Sequence, residues 1–178
     1  MKKIILSAVL FIVLSFGFYN FTLYYFPNLV YQKFHDKSDE RGVKENKFAI
    51  IPAPDENSRL VVKPNPDFAY ASAFFNIDKA PIQVTGEMPD STYWSVALYQ
   101  PNTINFYVKN DLQYNSDILD LIITKDSLEV PTEQILSKTS KGFLLIRVLI
   151  ENRSKENVAR IVRYLESLSI ERITSPTL

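Results

Sequence analysis

The 178-residue chain contains no cysteine. That absence excludes disulfides, thiolate nucleophiles and cysteine-based zinc sites together. It is compatible with an oxidising compartment without establishing one. His35 is the single histidine, which leaves little for a Ser-His-Asp arrangement or a histidine-rich metal centre, and no metal ligand set is expected. There are four glycines, and they form no phosphate-cradling loop; G-x-S-x-G and H-E-x-x-H are also missing. Nothing marks a cofactor site, and no cofactor is expected. Lys+Arg and Asp+Glu balance at 20 each. A neutral chain has no electrostatic footprint for a phosphate backbone, so nucleic acid is disfavoured as a partner.

What the chain does have is a long uncharged run. No charge occurs from Ile4 through Phe26 in "MKKIILSAVLFIVLSFGFYNFTLYYFP". As a helix, these 23 residues reach roughly 34 Å, enough to cross a hydrocarbon core. Its first two-thirds are aliphatic and Phe, and its last third gathers Tyr and Phe, as at a membrane interface. A cleaved signal peptide would show small residues at a cleavage site. After Ser15 the sequence runs FGFYNFTLYYFP, with no such pair, so an uncleaved anchor over residues 1–27 is expected. Lys2, Lys3 and the amino terminus precede the run, which puts the N-terminus in the cytoplasm by the positive-inside rule. Lys33 and Lys37 beyond it weaken that asymmetry.

Residues 28–47, "NLVYQKFHDKSDERGVKENK", are charged and read as a stalk, with room for a short helix continuing from the membrane. His35 lies here, and a lone juxtamembrane histidine is read as solvated or near headgroups. Residues 48–178 then form the outer-face domain. Short β-rich runs broken by Pro, Gly, Asn and Asp cover 48–51, 59–63, 68–77, 81–85, 93–99, 105–109 and 118–124. Gly86 and the "MPDST" that follows mark a turn. In "YWSVALY", Trp94, Val96 and Leu98 share one face, the core face, while Tyr93, Ser95, Ala97 and Tyr99 share the other. Residues 142–150, "GFLLIRVLI", are apolar on both faces and predict a central strand. Arg147 interrupts it, so its charge must snorkel to water or meet a carboxylate.

One clear helix follows. Ser154 is its expected N-cap, and Val158, Ile161, Val162, Leu165 and Leu168 form one apolar stripe at helical spacing. The stripe is expected to pack on the sheet.

"KPNPDFAYASAFF", residues 63–75, stiffens the chain just before a strand. Pro64 and Pro66 hold Lys63 and Asn65 extended and offer no N–H to a ladder. Asp67 has two readings. It accepts backbone N–H groups in an Asx-type turn, or it pairs with Arg147 at the edge of a cleft.

The stretch from Val61 to Asp111 resembles a bacterial family, domain of unknown function 1254. The resemblance is carried by Pro64 to Asp67, Tyr70 to Ser72, Asp78, Tyr93 to Ser95, and Asn102 to Phe106. The later "SKGFLLIRVLIE" is similar to a family strand in which Arg147 occupies a recurring position. Phe68 stands where many members have Thr or Leu. The resemblance extends over residues 45–168, to the short, membrane-anchored branch. It implies a mainly β, sandwich- or barrel-like antiparallel fold with one C-terminal helix. It also implies a companion envelope protein of the type called domain of unknown function 1214, and it brings no agreed reaction.

Three functions are compatible with these observations. The first is an interaction module tethered to the bacterial inner membrane, its C-terminal domain periplasmic, working with that companion. The second is a binder of small molecules or glycans, with Asp67, Tyr70, Tyr93, Asn102, Asn105 and Arg147 as candidate ligand residues and Tyr99 and Tyr107 beside them. The third is a carboxylate-dependent hydrolase using Asp67, Glu87 and Asp90, although Asp90 reads first as a turn residue.

Overall fold

The computed structural model describes residues 1–54, 64–114 and 116–173. The expected strand at 59–63 lies outside the described residues. Helix α1, Lys2–Tyr24, has no buried residue. It is long and apolar enough to cross a membrane, a property shared by anchors and N-terminal signal sequences. Tyr25 stays in the right-handed helical region, at φ −102° and ψ −38°, and leads directly into helix α2, Phe26–Glu40. Pro27 sits in the first turn of α2, where its missing N–H breaks no helical bond. Gly42, at φ +81°, ends the helix, and Val43 N–H closes back on the Ser38 carbonyl at 3.0 Å.

The segment read as a stalk is therefore mostly helix, and that helix is docked. Tyr31, Phe34, His35 and Ser38 recur at i, i+3, i+4 and i+7. The three rings rest on Phe74, and Ser38 is buried with its hydroxyl bonded to the Phe34 carbonyl. His35 is half-buried rather than solvated, with Nε2 3.4 Å from Glu45.

Nine strands follow: β1 Ala49–Ile51, β2 Phe68–Asn76, β3 Ile82–Glu87, β4 Trp94–Tyr99, β5 Asn105–Asn110, β6 Ile118–Thr124, β7 Glu133–Leu136, β8 Lys141–Leu149 and β9 Ser169–Arg172. Helix α3, Lys155–Ser167, lies between β8 and β9. Sheet one has the order β1-β2-β8-β4-β5 and is antiparallel throughout. Sheet two has the order β7-β6-β3-β9. Its β6–β7 pair is parallel, where only antiparallel pairing was expected. The departure follows from length. Leu121 pairs with Glu133 and Thr124 with Leu136, so loop 125–132 has to travel back only about 10 Å.

Alternation dictates what is buried. From sheet one, Ala69, Ala71, Ala73 and Phe75 of β2, Trp94, Val96 and Leu98 of β4, and Leu144, Ile146 and Val148 of β8 point inward. They meet Ile82, Val84, Leu119, Leu121 and Ile123 of sheet two in a single core. The result is a sandwich with β8 central in its sheet, as its unbroken apolar run predicts. Ile161 and Leu165 of α3 complete that core, and Ser154 caps the helix by accepting from Asn157 N–H at 3.2 Å.

Gly86 is not in a turn. It lies within β3 opposite Leu119, where a Cβ would collide with the Leu168 backbone at 2.9 Å. The glycine is there for close approach of the chain leaving α3.

Candidate functional site

The outer face of sheet one carries the residues that alternation turns away from the core. These are Tyr70, Ser72 and Phe74 on β2, Phe143, Leu145 and Arg147 on β8, and Ser95, Ala97 and Tyr99 on β4. Helix α2 covers one end of this face. Phe34 meets Phe74 and Phe143 edge-on at 5.3 and 5.6 Å, and the Tyr31 hydroxyl donates to the Gly142 carbonyl at 3.2 Å. Burial, then the nearby Glu45 charge, pushes the Tyr31 phenol well above its ordinary range.

The connection after α2 is clasped to the same end of the sheet. Asn46 exchanges hydrogen bonds with Asn76, donating to its carbonyl at 2.9 Å and accepting from its N–H at 2.8 Å. Glu45 accepts from the Asn76 amide at 2.7 Å and from Lys141 at 3.0 Å. Partial burial raises the Glu45 carboxyl, but the Asn76 and Lys141 bonds and the Lys141 charge outweigh it, and the net direction is down.

Around Phe34, α2 leaves two hollows on this face. One, of about 320 Å³, runs from Phe34 over Leu145 to Tyr70, Asn65 and Arg147. The second, of about 310 Å³, lies on the opposite flank of Phe34 between Val30, Tyr99 and Leu145. Phe34, Phe143 and Leu145 line both.

Arg147 is the only charged residue among the described walls of these two hollows. It is exposed at its position on β8. Its Nε donates to the buried Ser95 hydroxyl at 2.8 Å, and one terminal nitrogen donates to the Tyr93 hydroxyl at 3.4 Å. The guanidinium also lies over the Phe68 and Tyr93 rings, at 5.5 and 6.0 Å. Bonding to Ser95, then to Arg147, lowers the Tyr93 phenol from its ordinary range despite some burial. Burial raises Tyr70, with the Arg147 charge pulling the other way. Among the described residues no carboxylate lies within ion-pairing distance of Arg147.

The expected Asp67–Arg147 pair is therefore not formed. Nor does the Asp67 side chain build the Asx turn. Asn65 does, its Oδ1 accepting from Asp67 N–H at 2.9 Å. Asp67 contributes its carbonyl, which accepts from Ile150 N–H at 2.7 Å. Arg153 donates to the Pro66 carbonyl and fastens the same corner. The proline-rich stretch is thus a tied corner leading into β2, and its aspartate side chain is exposed.

Of the six candidate ligand residues, the structure brings Tyr70, Tyr93 and Arg147 together. Asn102 and Asn105 serve the β4–β5 turn. Asn102 accepts from Ile104 N–H at 3.2 Å, and Asn105 donates to the carbonyls of Leu98 and Tyr107 at 3.3 and 3.1 Å, where the register slips between Leu98 and Tyr99. Tyr107 points inward from β5 and donates to Glu133 at 3.0 Å. Asp90 lines a separate polar hollow with Asp111 and Asp117, and Asp67 and Glu87 are not among its walls. Sequence reasoning missed Phe34, Ser72 and Leu145 as walls of the cleft. Alternation along β2 and β8 already assigns two of them to the face of Arg147.

Residues 45–171 match the family described as protein of unknown function DUF1254. The chain belongs to that family. No curated protein matches it. The fold is similar to the crystal structure of the VPA0106 protein from Vibrio parahaemolyticus, with a TM-score of 0.64 at 14% identity. It is also similar to an uncharacterised protein from Burkholderia cenocepacia, with a TM-score of 0.52 at 13% identity. Each comparison covers 83% of this chain but only 35% and 42% of the other chains. At such identities the likeness concerns the fold alone.

Proposed function

We propose that this DUF1254 chain is a membrane-tethered interaction module displayed on the periplasmic side of a bacterial inner membrane, where it docks a companion envelope protein. The observation that carries this reading is strand β5. Among the described residues it pairs with β4 alone. On and around it Ile104, Val108 and Leu112 are exposed at 57, 58 and 85%. Exposed apolar side chains on and beside an edge strand suit addition of a partner strand, and Lys109, the charged residue of β5, is taken up by Glu133 at 2.9 Å. The greater length of the two similar solved chains is consistent with further chain seated beside this sandwich.

The test is co-expression of the full chain with a companion protein of the domain of unknown function 1214 type, followed by purification in detergent. A stable complex is expected, and Ile104→Lys with Val108→Lys should weaken it about tenfold or more without lowering the melting temperature. A companion that never co-elutes, or one held equally by the double variant, would refute the docking reading.

A second reading, binding of a small molecule, is favoured by one observation: the hollow at Arg147, where a cation without a described carboxylate partner meets an apolar floor.

A further inference from the structure

We propose that the outer face of sheet one binds a long-chain carboxylate, its head on Arg147 and its hydrocarbon chain lying across Leu145 into the apolar hollow beside Tyr99 and Val30. The proposal rests on the small-molecule reading and does not depend on docking at β5.

Arg147 presents a planar fork of five N–H donors, which matches a carboxylate. Two of its nitrogens are engaged, Nε by Ser95 and a terminal nitrogen by the Tyr93 hydroxyl. Those bonds and the Phe68 and Tyr93 rings hold the fork in place, so little side-chain entropy remains to be lost on binding. Both fixed partners are neutral, and among the described residues no carboxylate is ion-paired with the guanidinium. A single cation suits a monoanion better than a phosphate monoester, which carries nearly two charges. Tyr70, its hydroxyl bonded to the Asn65 carbonyl at 3.2 Å, stands beside the same position.

The remainder of the site is mainly apolar. From Arg147 to Phe143 the floor runs four residues along β8, about 13 Å, and its outward side chains are Leu145 and Phe143. The second hollow is walled almost wholly by apolar surface from Val30, Phe34, Tyr99 and Leu145. Each hollow alone is at the lower limit for a small-molecule site. Leu145, Phe143 and Phe34 border both, and the proposed chain would cross from one to the other over Leu145. A sugar would leave its hydroxyls unpaired over Leu145 and Phe143.

The test uses the full chain in nanodiscs of zwitterionic lipid, with cis-parinaric acid as fluorescent probe and oleate or oleyl alcohol as competitor. Saturable binding is expected, displaced by oleate and not by the alcohol. Arg147→Ala should weaken it about tenfold or more, with Arg147→Lys intermediate because one charge is kept and the fork is lost. Leu145→Trp, at a half-exposed position able to project a larger ring, should block the probe while leaving the melting temperature unchanged. Equal displacement by the alcohol, or unchanged binding in Arg147→Ala, overturns the proposal. Binding of a neutral cell-wall saccharide in place of the acid also overturns it, but leaves the small-molecule reading standing. Failure of every ligand removes both.

Discussion

Gly142 and Arg147 are both on β8, and each is the residue its site requires for a different reason. At Gly142 an added Cβ would strike the Phe75 ring and the Tyr99 carbonyl, because the strand passes beneath a buried aromatic. Gly142→Ala is expected to destabilise the domain by about 1–3 kcal/mol, read as a lowered urea midpoint with an unchanged slope. Arg147 was legible in the sequence as an anomaly, a charge inside an apolar run, and water access does resolve it. Its partners were not legible. Ser95 and Tyr93 lie more than fifty positions away, and only the β4–β8 register brings them alongside. The same limit hid the real turn former. Asn65 and Asp67 are equally able to close an Asx turn, and the Ile150 N–H bond that ties the Asp67 carbonyl to the chain leaving β8 belongs to tertiary structure.

Among the elements, those with alternating or helical patterns were readable, β1 at 48–51 included, and β7 and β9 were not. β2, β4, β6, β8 and α3 carry enough alternating or helical positions to declare themselves. β7 and β9 bury one residue each, Ile135 and Ile170, which is too little to form a pattern. Helix α2 was expected only as a short continuation from the membrane, and its docking on the sheet was not legible. Its inner stripe is Tyr31, Phe34, His35 and Ser38, two of which are polar, so a search for aliphatic spacing passes over it. Electrostatics contributes to its docking through Glu45. Its carboxyl is held below the ordinary range by Asn76 and Lys141, with His35 and Asp36 nearby. A depressed carboxylate stabilises the fold above its unfolded pKa, and that contribution is lost as pH falls through the folded value. The melting temperature should therefore fall more steeply in wild type than in Glu45→Gln as pH drops from about 5 towards 3. Parallel curves for the two proteins would show that Glu45 adds nothing.

For the whole molecule, the sandwich and the apolar helix answer separate questions. The sandwich lies almost entirely within the residues that match the DUF1254 family. What α1 does in the cell is decided by whether it is retained. If it is an anchor, the intact protein should stay with membranes through a carbonate wash, and its mass should include Met1. A mature product starting beyond Phe26 would identify a signal sequence instead. Leu10→Arg places a charge at the middle of α1, at a cost of about 3 kcal/mol on insertion scales, and should shift an anchored protein out of the membrane fraction.

The joint at Tyr25 matters for how such a body would meet others. One helix passes into the next without an extended linker, and the second is bonded and stacked onto the sheet through Tyr31 and Phe34. With α1 in lipid, the sandwich could not swing on a leash. It would ride at a set height with one side always turned the same way. Its encounters would then depend on lateral diffusion in the bilayer plane, and a partner tethered too high or too low would never be met.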